Sequence, residues 1–346
     1  MSSRRIIAGW LSIVCITVFV MVVVGGVTRL THSGLSMVDW DPIMGVVPPL
    51  NTTDWEAAFE AYKQYPEYQK VNRDMDLDGF KGIFYWEYGH RVLGRIIGLI
   101  FFVPFVVLLA FGKIRGALVP KLIIALVLGG LQGLMGWYMV MSGLVDMPRV
   151  SHYRLAAHLL LALVILGYIF WLILGLFASE RRADLAPPWL KQWSVWVLVL
   201  VFLQITYGAF VSGLRAGFGY NTFPKMGDVW IAEAVFVLSP WWHNLFESGA
   251  TIQLIHRWLG TLIVVLVGLF WLKSLVWLRS LSLPAARVRW AVHGLALSVV
   301  AQFLLGVVTL VMVIPIPLAA AHQGLACIVL VAAIWLIHRC RYVPVV

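Results

Sequence analysis

Charged residues are scarce in this chain. They make up 12% of its 346 residues, whereas 61% are hydrophobic. A soluble domain of this length does not carry so large an apolar fraction, so the composition excludes a soluble globular protein and indicates an integral membrane protein. The 17 tryptophans fit this interpretation, because tryptophan is enriched at the two membrane–water interfaces.

Cysteine is also rare, with three residues and no CxxC pair. Cys15 and Cys327 fall inside apolar segments, and Cys340 lies in the basic C-terminal tail. We therefore predict neither a disulfide framework nor a zinc site.

Eight apolar segments approach the ~20 residues that a helix needs to cross the hydrocarbon core. The first is too long for a signal-peptide core and has no small-x-small cleavage site, so we interpret it as a retained membrane helix. We expect an all-α integral membrane protein with helices at about 6–28, 88–111, 119–142, 153–177, 192–213, 251–275, 288–313 and 317–338.

Basic residues are concentrated on one side of this predicted topology. The N-terminus, the connections between helices 2–3, 4–5 and 6–7, and the C-terminus together hold 14 basic and two acidic residues. By the positive-inside rule, both termini are expected on the cytoplasmic side of the membrane. The membrane is expected to be the cell inner membrane. The net charge of +10 is then a topology signal, and no nucleic-acid partner is predicted.

The longest loop, about 29–87, lies on the outer side, and a second outer loop spans 214–249. In the first loop, Thr53–Glu56 resembles a capping box and predicts a short helix through about Tyr65. Its aromatic residues recur every three or four positions, which fits either a helix on the membrane surface or one packed on the loop itself. The acidic residues at 74, 76 and 78 fit either a calcium site or a solvated turn.

Four histidines stand a few residues inside apolar segments: His90, His158, His256 and His322. A histidine in such a position is costly unless it has a partner. The other five histidines lie in loops, at a helix edge or toward the cytoplasm, and we predict that they are not ligands: His32, His152, His243, His293 and His338.

The two halves of the chain repeat one another around these histidines. Residues 87–94, EYGHRVLG, recur as QLIHRWLG at 253–260, and the Ala-Ala-His ending at His158 recurs at His322. Gln132 and Gly136 likewise correspond to Gln302 and Gly306. More loosely, the residues 26–29 that close helix 1 correspond to 212–215.

The repeat predicts two pseudo-symmetric four-helix bundles, residues 1–185 and 186–346. Because each half has an even number of helices, the halves run parallel in the membrane. The four histidines then share one depth, near the outer surface.

Pairs of histidines on facing helices commonly hold haem iron inside a helix bundle. Nearby glycines, such as Gly94 and Gly260, leave room for a ring or a neighbouring helix. Four arginines near the outer ends are candidates for contact with the haem propionates, with snorkelling to lipid phosphate as the alternative. They are Arg91, Arg95, Arg154 and Arg257.

Glu87 breaks the symmetry of the repeat, because Gln253 stands at the equivalent position. An acid three residues before His90, with no counterpart in the other half, implies that the two sites differ in role. It suits proton transfer. The alternative is a structural carboxylate paired with Arg91 or Lys81.

The chain resembles the haem A synthase family over its whole length. The resemblance rests on the eight helices in two repeats, GGVTRLT at 25–31 closing helix 1, Glu87-x-x-His90-Arg91, His158, His256-Arg257 and His322. Some bacterial members have a cysteine pair in the first outer loop. This chain has none, and it is similar to the alphaproteobacterial and mitochondrial branch.

The resemblance implies an enzyme that oxidises the C8 methyl of haem O to a formyl group, by successive hydroxylations, for terminal oxidase assembly. It further implies that His256 and His322 bind a resident haem b. His90 and His158 would hold the substrate haem O, with Glu87 catalytic. A haem O synthase and an electron donor are implied partners.

Two questions stay open at this point. Iron with two histidine ligands has no open position for oxygen, so either one ligand leaves or the methyl loses electrons and water supplies the oxygen. The alternative function is a di-haem b cytochrome that transfers electrons from quinol, which explains the histidines equally well but not Glu87. The lack of an aspartate-rich diphosphate–magnesium motif excludes a prenyltransferase.

Overall fold

The computed structural model describes residues 3–38, 47–145, 147–182, 186–279 and 286–344. Eight of its helices are long and apolar enough to cross a membrane. They are α1 (Ser3–Leu30), α4 (Leu77–Ala110), α5 (Leu118–Met141), α6 (His152–Leu176), α7 (Pro188–Gly213), α8 (Gly249–Arg279), α9 (Ala286–Val311) and α10 (Ile316–Arg341). The predicted all-α, eight-span membrane fold is confirmed.

Helix α4 differs most from the prediction, because it begins at Leu77 rather than at about residue 88. Asp76 caps it by accepting a hydrogen bond from the Gly79 amide at 2.8 Å. Asp78 on the first turn pairs with Lys81 at 3.0 Å. The capping and the ion pair give two of the loop's acidic residues local structural roles.

The first turns of α4 pack against α2 (Thr52–Lys63), which is followed by the short α3 (Pro66–Lys70). Five aromatic residues form a buried cluster, here called the aromatic cluster: Trp55, Phe59, Tyr62, Phe80 and Phe84. Phe80 stacks on both Phe59 and Tyr62, with centroids 5.1 and 5.2 Å away. Of the two alternatives for this helix, the structure favours packing on the loop's own residues.

The capping box at Thr53–Glu56 was wrong as the start of α2. Asn51 is the N-cap, and its side chain accepts a hydrogen bond from the Asp54 amide at 2.9 Å. Asn51 satisfies a free N–H group of the first turn directly, as asparagine does at many helix starts. Burial in the aromatic cluster also raises the pKa of the Tyr62 hydroxyl.

The chain divides into two compact units, Ile16–Ala162 and Met1–Cys15 with Leu163–Val346. In the second unit, α7, α8, α9 and α10 pack in a closed cycle, each against its two neighbours. Two short strands that the sequence did not predict, β1 (Ala178–Arg182) and β2 (Tyr342–Pro344), pair antiparallel in the same unit.

We predict that Phe80→Ala releases α2 from α4, because removing a fully buried aromatic side chain costs about 3–5 kcal/mol. Hydrogen–deuterium exchange over 52–63 should quicken strongly, while exchange in α8 stays unchanged. Val71→Ala, at a residue of the same loop that is 53% exposed, is the matched control. Equal protection of α2 in both variants would contradict the packing role.

Candidate functional site

The His90 imidazole packs directly against the backbone of α1. A Cβ atom at Gly25 would lie 2.9 Å from His90 Cε1, closer than real Cβ contacts come. Only glycine therefore leaves room for the ring at this point. The first functional histidine is held where two helices approach closely.

The same contact occurs at each of the other three predicted ligands. In every case the glycine lies on the preceding membrane helix, and a Cβ there would come within about 3 Å of the histidine Cε1. The pairs are Gly136 with His158 at 3.0 Å, Gly208 with His256 at 3.1 Å, and Gly306 with His322 at 2.7 Å. One local structure thus recurs four times.

Each unit contains two of these imidazoles near one another. His90 lies within electrostatic range of His158, and His256 within range of His322. His90 therefore lies near His158, and His256 near His322, while the binding of one haem by each pair stays a prediction. A metal ion that a macrocycle already holds in its plane needs at most two further ligands from the protein, and each site offers two. No group of three or more His, Cys, Asp or Glu that could hold a metal ion occurs among the described residues.

Three of the rings carry a buried nitrogen that no group in the described part of the chain satisfies. These atoms are Nδ1 of His90, His256 and His322. A buried polar atom without a partner costs roughly 1–3 kcal/mol, so proteins retain few of them without a functional reason. The recurrence at equivalent positions fits imidazoles that serve a ligand, and the donor set fits haem iron.

Glu87 is 3% exposed and is held on both oxygens. Its Oε2 accepts hydrogen bonds from the Ser36 amide at 2.7 Å, the Ser36 hydroxyl at 2.8 Å and the Met37 amide at 2.8 Å. Its Oε1 accepts from Arg91 Nη2 at 2.5 Å and Nε at 3.1 Å. Two amides and a guanidinium can only donate, so this environment suits the ionised carboxylate. The predicted pairing with Arg91 is present, and Lys81 pairs instead with Asp78.

The second half builds an equivalent support with different chemistry. Gln253 Nε2 donates to the Tyr220 carbonyl at 3.0 Å. Arg257 donates from Nη1 to the carbonyls of Thr222 and Lys225 at 2.6 and 2.9 Å. In both halves, therefore, the residues three before and one after the histidine hold the loop that follows the preceding helix. Only the first half places a negative charge there.

The other two predicted arginines have different surroundings. Arg154 donates from Nη1 to the Tyr138 carbonyl at 2.8 Å, and its guanidinium lies over the Tyr138 ring, 3.7 Å from the centroid. Arg95 is half-buried on α4, one turn beyond Arg91, and its Nη1 atom is buried. Contact of any of these arginines with propionates stays a prediction.

The five remaining histidines lie elsewhere. His293 accepts a hydrogen bond from Trp271 Nε1 at 2.9 Å, and His338 packs edge-on against Trp171. His152 is the first residue of α6 and lies against Tyr153. His32 follows α1, and His243 lies in a short 3-10 turn of the second outer loop.

The sequence analysis missed two residues that support His256. Gly208 packs against its ring, and Gln204 Nε2 donates to its carbonyl oxygen at 2.9 Å. The spacing of Gln204 and Gly208 repeats that of Gln132 and Gly136, so the signal was present in the sequence. The repeat of this spacing was not recognised because the loose match of 26–29 to 212–215 shifts helix 5 by three residues relative to helix 1. The contacts with the histidines pair Gly25 with Gly208 instead.

Comparison with known proteins gives one consistent result. The sequence model of the family COX15-CtaA, described as "Cytochrome oxidase assembly protein", matches residues 8–334. Proteins named "Heme A synthase" are similar over nearly the whole chain. That of Nitrosospira multiformis is 48% identical over 340 residues, covering 98% of this chain and 94% of the relative. That of Parvibaculum lavamentivorans is 46% identical over 338 residues, covering 98% and 95%.

We predict that Gly306→Ala lowers the haem content of the purified protein severalfold, because the new methyl group must displace the His322 ring. The pyridine haemochrome assay measures this content per chain. Gly268→Ala in α8, where a Cβ meets nothing within 4 Å, should leave it unchanged. Full haem content in both variants would contradict the close-contact role.

Proposed function

Because this chain belongs to the COX15-CtaA family of cytochrome oxidase assembly proteins, we propose residue roles for it as a haem A synthase. It is a membrane enzyme, an oxidase that converts haem O to haem A. The observation that carries the site assignment is the recurrence of one close imidazole–glycine contact four times, twice in each unit.

We assign the substrate haem O to His90 and His158, and a resident haem b to His256 and His322. A haem b bound between the latter two would relay electrons one at a time to the substrate site. The buried, unpaired imidazole nitrogens support both assignments. The Glu87/Gln253 difference supports a different role for each pair, since the charged group accompanies only His90.

Glu87 is the proposed catalytic group. Its carboxyl group is one helical turn from His90 and accepts hydrogen bonds on both oxygens. A fixed negative charge there can stabilise positive charge that develops on the substrate, or accept the proton that the methyl group loses. The same hydrogen bonds fix the 33–38 segment next to the site, so substrate contact and loop position are coupled.

The propionate contacts are assigned to Arg91, Arg95, Arg154 and Arg257. A guanidinium has five N–H donors, and the hydrogen bonds to the protein occupy only some of them. Arg257 Nε, for example, is buried and has no acceptor in the described part of the chain. Such donors suit anionic carboxylates near the outer ends of the helices.

We further propose a placement in the cell inner membrane, with both termini cytoplasmic and both haem sites near the periplasmic side. The basic residues on the termini and the 2–3, 4–5 and 6–7 connections support it. The two repeats, 1–185 and 186–346, would each form a four-helix bundle with one site. A haem O synthase would supply the substrate. A separate electron donor would supply electrons to the haem b.

Pigment extraction separates this function from the di-haem b cytochrome. The protein is purified from cells with and without a haem O source, and its haems are resolved by chromatography. Haem O or haem A beside haem b is expected only with the source. Two haems b in both samples would favour the cytochrome and contradict the synthase.

We predict that Glu87→Gln retains haem but stops haem A formation, since the amide keeps the size of the side chain and removes its charge. Chromatography of extracted pigments measures the product, and the absorbance spectrum measures bound haem. Glu60→Gln, at an exposed residue of α2 paired with Lys63, is the control. Full product formation in Glu87→Gln would refute the catalytic role.

We also predict that His256→Ala removes most of the resident haem b signal, because the iron loses an axial ligand. The reduced-minus-oxidised spectrum reports this directly. His243→Ala, in the second outer loop, should leave that spectrum unchanged. An unaltered bis-histidine spectrum in His256→Ala would reassign the ligands.

A further inference from the structure

Three of the four proposed ligands are supported by a glutamine side chain from the preceding helix. In each case the amide Nε2 donates to the carbonyl oxygen of the histidine and lies within 3.5 Å of a ring nitrogen. The distances to the carbonyl are 3.1 Å for Gln132 to His158, 2.9 Å for Gln204 to His256, and 3.0 Å for Gln302 to His322. Each glutamine stands four residues before the glycine that packs on the same ring.

Helix α1 has Met21 at this position, four residues before Gly25. The structure shows that the two positions are equivalent. A Cβ at Gly94, one turn after His90, would lie 3.3 Å from Met21 Cε. A Cβ at Gly260, one turn after His256, would lie 3.0 Å from Gln204 Nε2. Met21 therefore occupies the place of the fourth glutamine.

Methionine cannot do what glutamine does here. Its thioether has no N–H group, so it donates no hydrogen bond to the His90 carbonyl or ring. It is also unbranched, with three rotatable bonds, so it can move aside within a packed interface. Among the described residues, no side chain donates to the His90 carbonyl, whereas an amide donates to the carbonyl of each of the other three histidines.

Partners of this kind matter for a metal ligand. The amide donates to the carbonyl oxygen of the histidine, so it holds the backbone of the ligating residue against the neighbouring helix. Weaker support on one side suits a substrate haem, which must enter and leave. Firm support on both sides suits a haem that stays.

We propose that His90 is the displaceable axial ligand of the substrate haem, and that Met21 is the positioning residue that makes it so. This inference rests on the proposed function, because it names the side of haem O from which an imidazole can leave. His158 stays bound throughout. The bis-histidine site then opens a coordination position without any movement of the His256–His322 pair.

Carbon monoxide tests the inference, because it binds ferrous haem only where an axial ligand gives way. The full-length protein, purified with haem O supplied, is reduced and mixed with carbon monoxide, and the difference spectrum is followed over time. Carbon monoxide is expected to bind the haem of the first pair. Met21→Gln should slow this binding severalfold, because the new amide can donate to the His90 carbonyl as the other glutamines do. Met21→Leu, which changes the packing but adds no donor, should slow it much less than Met21→Gln does.

The reciprocal change tests the same idea at the other site. Gln204→Met should make the second haem reactive toward carbon monoxide, although no ligand has been altered. If the Met21→Gln protein does not accumulate in the membrane, the carbon monoxide rate of the Gln204→Met protein tests the proposal by itself. Rates that are the same in the original protein, Met21→Gln and Gln204→Met would overturn the proposal.

Failure of the inference and failure of the proposed function remain distinguishable. Haem extraction from the same samples identifies the pigments present. Finding haem b alone would overturn the synthase assignment, while the carbon monoxide rates would still report which histidine is displaceable.

Discussion

The close contact between an imidazole and a glycine of the preceding helix is the constraint on which the site depends. An apolar bilayer makes an unpartnered imidazole expensive. This protein nevertheless places four imidazoles in membrane helices, each against a backbone where any Cβ would collide or nearly collide. The contact fixes which helices must lie side by side and how close they come. It therefore connects the packing of the helices directly to the chemistry of the ligands.

Upon this common framework, a few side chains differentiate the two sites. Both halves use the residues flanking the histidine to hold an outer loop, but Glu87 adds a charge where Gln253 is neutral. Both halves place a long side chain above the ring-packing glycine, but Met21 lacks the donor that Gln204 has. Both differences fall beside His90. Under the proposed roles, these local changes would make the first site the one that exchanges and reacts, and the second the permanent one.

The spans and the four histidines could be predicted because their signals are local or repeated. Apolar runs define the helices, and the repeat separates these histidines from the other five. Contacts between distant residues could not be predicted. The Ser36 hydrogen bond to Glu87 joins residues 51 positions apart, and β1 pairs with β2 across most of the second half. The start of α4 was missed because Phe80 becomes helical core only when α2 covers it.

Low-temperature EPR spectroscopy of the oxidised protein, purified from cells that make haem O, tests the pairing of the imidazoles most directly. The account predicts two low-spin ferric signals with bis-histidine character, one from each pair and in equal amounts. A single such signal in protein that contains two haems, or a signal showing an axial ligand other than histidine, would contradict it.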